Sequence, residues 1–119
     1  MNNICIVEDE KLIALDLKVS LESEGFDVCS IVDNFEDALF CAEYFNPHFF
    51  LMDVNLAGEI DGIHIAEHIL GLIETNIIFH SSDTPLQHAD RLKNITYLDY
   101  LEKPADFLNI LALLLEKQL

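Results

Sequence analysis

Positive charge is scarce in this sequence. Six lysines and arginines stand against 22 aspartates and glutamates, which gives a formal net charge of −16 over 119 residues. A chain with this much negative charge is repelled by phosphate groups, so the composition argues against direct binding to nucleic acid or to an anionic membrane. The composition favours cations and basic protein surfaces as partners.

The sequence also has few cysteines and no long apolar segment. Its three cysteines, Cys5, Cys29 and Cys41, form no closely spaced pair and lie in apolar segments, where we expect them to pack as small core residues. Unpaired thiols of this kind are typical of a reducing compartment. No apolar run reaches the roughly 18 residues that span a bilayer, and the amino terminus lacks the pattern of a signal peptide. We therefore expect a cytoplasmic protein that does not enter a membrane.

Apolar residues are abundant, and their spacing changes repeatedly along the chain. A hydrophobic content of 51% predicts a globular protein, and the length predicts a single domain over residues 1–119. Short continuous apolar runs predict strands, whereas apolar residues at helical spacing predict helices. The strands are predicted at residues 3–8, 26–32, 48–53, 76–81 and 97–102, and the helices at residues 11–24, 34–44, 63–73, 84–94 and 105–119.

This alternation of strands and helices indicates the fold class. Continuous apolar runs are typical of strands that are buried on both faces, so the pattern predicts a doubly wound α/β domain with a parallel sheet. The helical period of the first helix depends on Leu12, Leu15, Val19 and Leu21. Asn34 is predicted to cap the second helix.

Polar side chains follow the predicted strands at the point where each strand ends. Glu8 and Asp9 follow the first strand, Asp53 ends the third, Ser81 ends the fourth and Lys103 follows the fifth. The carboxyl ends of parallel strands meet at one edge of a sheet, where ligands bind in such folds. Each acidic residue could instead cap a helix. That alternative does not explain Asp53, because a loop follows it.

Three carboxylates at one edge of a sheet repel one another unless they are protonated or bind a cation. Oxygen ligands of this kind suit Mg²⁺, which proteins hold with one or two carboxylates together with substrate phosphate. A carboxylate in such a site can also act as a nucleophile toward a phosphoryl group. The residues therefore predict an acidic magnesium site with phosphoryl chemistry.

Four short segments, taken in order, resemble the response-regulator receiver domain. They are "VEDE" after the first strand, "LMDVNLAGEIDG" after the third, "IIFHSSD" around the fourth and "YLEKP" at the fifth. The resemblance covers essentially the whole chain. It implies the flavodoxin-like strand order 2-1-3-4-5.

The resemblance also implies a role for each site residue. Asp53 would be the phosphoacceptor, and Lys103 and Ser81 would assist the phosphoryl group. Ser81 and Tyr100 would act as switch residues. The Mg²⁺ ligands would be Glu8, Asp9, Asp53 and the backbone carbonyl of Asn55. The sequence departs from the family at Ser81, where threonine is commoner, at His80, where an aliphatic residue is usual, and at Ala105, where phenylalanine is common.

By this resemblance the chain is a phosphoacceptor module of a two-component system or phosphorelay, and not an enzyme. A histidine kinase or a phosphotransfer protein would supply the phosphoryl group. Phosphorylation would switch protein binding through the face formed by the fourth helix, the fifth strand and the fifth helix. Two alternatives remain open. One is a receiver-like interaction module that works without phosphate; the other is a Mg²⁺-dependent phosphohydrolase, although Asn55 stands where such enzymes usually have a second acid.

The last helix carries more apolar residues than one buried face needs. Its core stripe is predicted to consist of Phe107, Ile110, Leu111 and Leu114. A second apolar stripe lies beside the first and comprises Leu108, Ala112, Leu115 and Leu119. An apolar arc of this width indicates a protein interface, with a downstream partner or in a homodimer. The alternative is a deeply packed helix.

Two histidine features are open to a second interpretation. The segment "HIAEH" places His64 and His68 four residues apart and matches a zinc-peptidase signature, H-x-x-E-H. The apolar residues around them predict that both imidazoles face solvent, which argues against catalytic zinc. His80 is predicted to be a packed strand residue. His48 and His88 are predicted to lie at the surface.

Overall fold

The computed structural model describes residues 3–118. Its core is a five-stranded parallel sheet with the order β2-β1-β3-β4-β5. This order confirms the predicted fold class and topology. The strands are β1 (Asn3–Val7), β2 (Asp27–Val32), β3 (Phe49–Met52), β4 (Asn76–Ser81) and β5 (Asp99–Glu102).

Helices cover both faces of the sheet. They are α1 (Lys11–Ser23), α2 (Phe35–Phe45), α3 (Gly62–Leu70), α4 (Ala89–Leu92) and α5 (Phe107–Gln118). One hydrophobic cluster joins the sheet to α2, α3 and α4, and a second joins it to α1 and α5. Neighbouring residues of a strand enter opposite clusters: Cys5 belongs to the first and Ile6 to the second. The continuous apolar runs of the sequence therefore arise because both faces of each central strand are buried.

The register brings the carboxyl ends of the central strands to the same level. Val7, the last residue of β1, pairs with Met52, the last residue of β3. The next residue, Asp53, continues this ladder, since its backbone N–H donates to the carbonyl of Val7 at 2.9 Å. Glu8 and Asp53 consequently leave the sheet side by side.

The segment before β5 differs from its prediction. A single helix was expected over residues 84–94, but the chain forms a 3₁₀ turn at Pro85–His88 and then the short helix α4. Leu86 is 83% exposed, and Leu92 is the apolar residue of this segment that reaches the core. A longer helix would lack the buried stripe that stabilises most helices in proteins. His88 lies within this turn and is half-buried rather than at the surface.

The exposed side of α1 was also not anticipated. Of the four apolar residues that predicted this helix, only Leu21 is buried, and it packs with Ala14 and Leu17. The other three are largely exposed: Leu12 at 84%, Leu15 at 54% and Val19 at 60%. They lie at helical spacing on the opposite side, so the helix was predicted correctly from a stripe that does not face the core.

Other element boundaries follow local chemistry. The side chain of Asn34 accepts a hydrogen bond from the backbone N–H of Asp37, which confirms it as the amino-terminal cap of α2. Asn46 ends the same helix with a positive φ of 49°, a conformation that asparagine tolerates better than most residues. No helix within residues 3–118 is long and apolar enough to cross a membrane.

The last helix buries one stripe and exposes the other. Ile110 and Leu114 are buried, while Phe107 and Leu111 pack partly against the same cluster. Leu108 and Leu115 are 66% and 48% exposed, and Ala112 is also exposed. Leu119 lies outside the described residues. The exposed stripe shows that this side of the helix is not deeply packed within the chain.

Candidate functional site

The site lies at the carboxyl ends of β1 and β3. Glu8 and Asp53 follow these strands directly, and the two residues are only 4% and 3% exposed. Asp9 is half-buried beside them. One carboxylate oxygen from each of the three residues lies within 4.8 Å of the other two. The predicted acidic cluster is therefore present as a compact group.

Lys103 enters this group from the end of β5. Its Nζ lies 2.8 Å from Oε1 of Glu8 and 3.3 Å from Oδ2 of Asp53. Its backbone N–H donates to the carbonyl of Ser81 at 2.7 Å, which extends the pairing of β5 with β4 by one residue. The following peptide bond, to Pro104, is cis. A single ammonium group thus lies between two buried carboxylates.

The electrostatics of the two carboxylates differ. Burial and the negative charge of Glu8 raise the pKa of Asp53 to about 7, against the smaller opposing effect of Lys103. Burial would also raise the pKa of Glu8, but hydrogen bonds from Lys103 and from the backbone N–H of Glu10 hold it below its usual value. Lys103 therefore compensates Glu8 more fully than Asp53. A further positive charge would favour the ionised form of Asp53.

The loop after β3 folds back over the acidic group. The backbone N–H of Asn55 donates to Oδ1 of Asp53 at 3.1 Å, and the N–H of Ala57 donates to Oδ2 of Asp9 at 3.0 Å. The loop ends at Gly62, where a Cβ would collide with the backbone carbonyl of Asp53. Glycine is required there because α3 begins in contact with the backbone of the site.

The other side of the site contains a small polar network. Ser81 is fully buried, and its Oγ accepts a hydrogen bond from the backbone N–H of Asp83 at 3.2 Å. The hydroxyl of Tyr100 donates to the carbonyl of Asp83 at 2.9 Å. The carboxylate of Asp83 lies 2.8 Å from Nε2 of His88. Ser81 and Tyr100 are therefore connected through the backbone of one residue in the β4–α4 loop.

The acidic group fits a hard divalent cation. Its three candidate ligand side chains all offer carboxylate oxygens, and nitrogen and sulfur ligands are absent from this group. Mg²⁺ prefers oxygen ligands of this type. His64 and His68 do not join a group of three possible ligands within residues 3–118, and both are exposed as predicted.

The sequence matches the response regulator receiver domain family over residues 4–115. The chain belongs to this family. Receivers are signalling modules that interact with kinases or phosphotransfer proteins and with effector domains, and they are generally not enzymes. Members of the family typically bind Mg²⁺ at an acidic pocket, and this receiver has such an acidic cluster.

Individual relatives agree with the family assignment. The receiver is 33% identical to the response regulator protein GraR of Staphylococcus saprophyticus over 86% of its own length and 45% of that protein. It is 32% identical to the receiver domain of a modulated diguanylate cyclase from Desulfovibrio desulfuricans, with a TM-score of 0.84 over 99% of this chain and 97% of that one. A CheY-like receiver from Methanospirillum hungatei has the same fold, with a TM-score of 0.89, 24% identity and coverage of 98% and 93%. The receiver spans about half the length of the curated relatives it matches.

The structure brings most of the predicted site residues of this receiver together. Glu8, Asp9, Asp53 and Lys103 form one contiguous group. Asn55 reaches that group through its backbone N–H. Ser81 and Tyr100, the switch pair predicted from the resemblance, form side-chain hydrogen bonds with Asp83 of the β4–α4 loop rather than with the acidic group. The chemical role of each residue stays a prediction.

Three residues near the site were assigned no role from the sequence. Gly62 allows the close approach of α3, Asp83 connects the switch pair, and Glu10 donates its backbone N–H to Glu8 at 3.1 Å. Gly62 could have been identified from the sequence, because a glycine directly before an apolar helical segment indicates a close approach of the backbone. No signal identifies Asp83, since its role depends on backbone atoms that every residue has.

Proposed function

We propose that this receiver accepts a phosphoryl group on Asp53 from a phosphohistidine of a kinase or phosphotransfer protein. One carboxylate oxygen of Asp53 attacks phosphorus, and the bond between phosphorus and the donor imidazole nitrogen breaks. The imidazole leaves with the electron pair, and the product on this chain is an acyl phosphate. The observation that carries the proposal is the buried carboxylate of Asp53, which lies between two further acids and an ammonium group.

The surrounding residues are suited to the charge that this transfer brings. Mg²⁺ would be held by Glu8, Asp9, Asp53 and the backbone carbonyl of Asn55, and when bound it would neutralise phosphoryl oxygens. Lys103 is already within 3.3 Å of Asp53, so its ammonium group can pair with an added phosphoryl oxygen without a large movement. Because the chain carries a net charge of −16, a phosphoryl group would be repelled from the site without the local positive charge of Mg²⁺ and Lys103.

The polar network around Asp83 supports a proposal for the switch. An acyl phosphate on Asp53 would offer new acceptor oxygens to the hydroxyl of Ser81. If Ser81 turns toward them, its hydrogen bond from Asp83 is lost, and the contact between Asp83 and Tyr100 changes with it. Tyr100 lies on β5 between α4 and α5. Its movement would alter the face on which we propose that a downstream protein or a second copy of the receiver binds.

The first experiment measures intact mass after incubation with acetyl phosphate, with and without Mg²⁺. We expect the wild type to gain one phosphoryl group only with Mg²⁺, and Asp53→Asn to gain none, because it lacks the nucleophilic oxygen. Asp90→Asn is the matched control, since the side chain of Asp90 is 99% exposed. Equal labelling of Asp53→Asn and wild type would refute the assignment of Asp53.

A receiver that works without phosphate is the second candidate. It is favoured by the exposed stripe of α5, since Leu108 is 66% exposed in the unphosphorylated chain. Such a module would bind its partner equally well after Asp53→Ala. The hydrolase alternative is weaker, because the family consists of signalling modules. Turnover of a phosphomonoester would revive it.

A further inference from the structure

A cavity of about 220 Å³ lies on the side of the sheet opposite to α3, behind the Lys103–Pro104 segment. Its walls are mainly apolar and come from Ile13 and Leu17 of α1, from Phe107 of α5, and from Pro104 and Ala105. Cavities of about 150 Å³ with similar walls bind molecules of the size of benzene. The space is therefore sufficient for one ring with a small substituent.

His80 is among the residues that line this cavity. His80 lies on β4 two residues after Ile78, and Ile78 packs with α1 and α5. Because alternate residues of a strand point to the same face, the side chain of His80 also points toward α1 and α5. The residue is only 7% exposed, and its Nε2 has no hydrogen-bond partner within the described part of the chain. A buried polar atom without a partner costs free energy, and such atoms are uncommon in native proteins. Because His80 lines the cavity, its Nε2 would gain a partner if the imidazole turned toward a polar molecule bound there.

Charge restricts the kind of molecule that can bind. Among the residues that line the cavity, Lys103 has the one ammonium group, and this group already pairs with Glu8 and Asp53. Asp16 also lines the cavity, and the chain as a whole carries a net charge of −16. The pKa of His80 is lowered by burial and by Lys103, so its imidazole is neutral and offers no positive charge to an anion. An anionic ligand would meet no free cation here.

We propose that this cavity binds a neutral molecule with a single aromatic ring and one hydroxyl or ring N–H group, which forms a hydrogen bond with His80. The ring would pack between Ile13, Leu17 and Phe107. Because Nε2 is shielded from solvent, the imidazole must turn about its Cβ–Cγ bond to meet the ligand. The site lies outside the acidic group and does not require that Asp53 is phosphorylated.

The test is a titration of the ¹⁵N-labelled chain, followed by amide and imidazole NMR shifts. The probes are phenol, toluene and benzoate, which have similar size but differ in hydrogen bonding and charge. We expect saturable shifts of residues around the cavity with phenol at a Kd of about 1 mM or below, as is typical of so few atoms. Toluene should bind about tenfold more weakly, because it leaves Nε2 unpaired. Benzoate should bind more weakly than either probe.

Three variants make the result specific. Ala105→Phe enlarges a side chain of the wall and should abolish phenol binding while leaving His80 in place. His80→Leu should retain toluene binding and lose the preference for phenol. His48→Leu, at an exposed loop position, should bind like the wild type. Absence of saturable binding, equal affinity for the three probes, or unchanged phenol binding by Ala105→Phe would overturn the proposal.

Discussion

At the site, a single ammonium group forms ion pairs with two buried carboxylates. Lys103 approaches Glu8 to 2.8 Å and Asp53 to 3.3 Å. The pKa of Glu8 falls as a result, whereas that of Asp53 stays raised because burial and Glu8 outweigh the lysine. The free energy of the folded receiver therefore depends on how Asp53 is protonated when no divalent cation is bound.

We predict that Asp53→Asn stabilises the receiver in EDTA at pH 8 by about 1–3 kcal/mol. The pKa of Asp53 is raised from 3.8 to about 7, so between these pH values the folded state binds more protons than the unfolded state. The stability that this proton provides is fully present below about pH 4 and is lost as the pH rises through about 7. Urea unfolding at pH 5, 6, 7 and 8 measures the effect. The advantage of Asp53→Asn over wild type should grow with pH, and an advantage that shrinks would contradict the prediction.

Lys103→Ala should have the opposite effect on stability. Removing the ammonium group leaves Glu8 and Asp53 buried without a cation, which we expect to cost about 2–4 kcal/mol in EDTA. Added Mg²⁺ should restore part of the loss, because it neutralises the same carboxylates. Lys93→Ala is the control, since the contact of Lys93 with Asp90 is exposed and 3.6 Å long. If both variants unfold at the same urea concentration, the buried pairing of Lys103 contributes nothing measurable.

For the secondary-structure elements, burial explains which predictions succeeded. The five strands were found because their apolar runs are continuous, and β4 was placed with both ends correct at Asn76–Ser81. The helix before β5 was predicted too long because its capping signals are local, whereas a helix also needs a face to bury. The apolar residues of α1 indicated the helix but not its orientation, since Leu12 and Val19 have the same spacing as the buried stripe.

The start of α3 and the short helix α4 depend on each other. Asp61 caps α3 by accepting the backbone N–H of His64 at 3.1 Å, and it receives two hydrogen bonds of 2.7 Å from Arg91 of α4. Burial would raise the pKa of Asp61, but the hydrogen bonds from Arg91 and His64 hold it below its ordinary value. Its ionised form is thus the stabilising one.

Asp61→Ala should lower the free energy of unfolding at pH 7 by about 1–2 kcal/mol, through loss of the cap and of the bidentate pair. Because the pKa of Asp61 is lowered, this contribution is present above about pH 4 and disappears as the pH falls further. Urea unfolding at pH 7 and pH 3 measures both parts. Asp90→Ala, one residue before Arg91 and fully exposed, is the control and should change little. A difference from wild type that persists undiminished at pH 3 would argue against the ion pair.

For the whole molecule, the sequence indicated the chemistry of the site but not its detailed connections. Acidic residues after β1 and β3 and a lysine after β5 suffice to predict a cation and phosphoryl site, since parallel strands end at one edge. Which carboxylate the lysine prefers depends on distances of a few tenths of an ångström, and sequence spacing carries no such information. The contacts of Gly62 and Asp83 involve backbone atoms, so residue type alone could not identify them.

The net charge of the whole molecule gives the last prediction. If the exposed stripe of α5 forms a homodimer, two chains that each carry a charge of −16 must approach one another. Salt screens this repulsion, since the Debye length falls from about 10 Å at 0.1 M to about 3 Å at 1 M. Dimerisation should therefore strengthen with salt, whereas binding to a basic partner should weaken. Sedimentation of the receiver incubated with acetyl phosphate and Mg²⁺, at low and high NaCl, measures this dependence.

Substitution separates the stripe of α5 from the other exposed apolar side chains. Leu108→Ser should reduce the dimer fraction at high salt by about tenfold or more, because it removes an apolar side chain that is 66% exposed in the single chain. Leu12→Ser is the matched control, since Leu12 is 84% exposed on α1. Both variants should keep the stability of the wild type, because neither leucine is buried. If Leu12→Ser disrupts the dimer and Leu108→Ser does not, the homodimer uses α1 rather than the last helix, and the prediction drawn from the second apolar stripe is wrong.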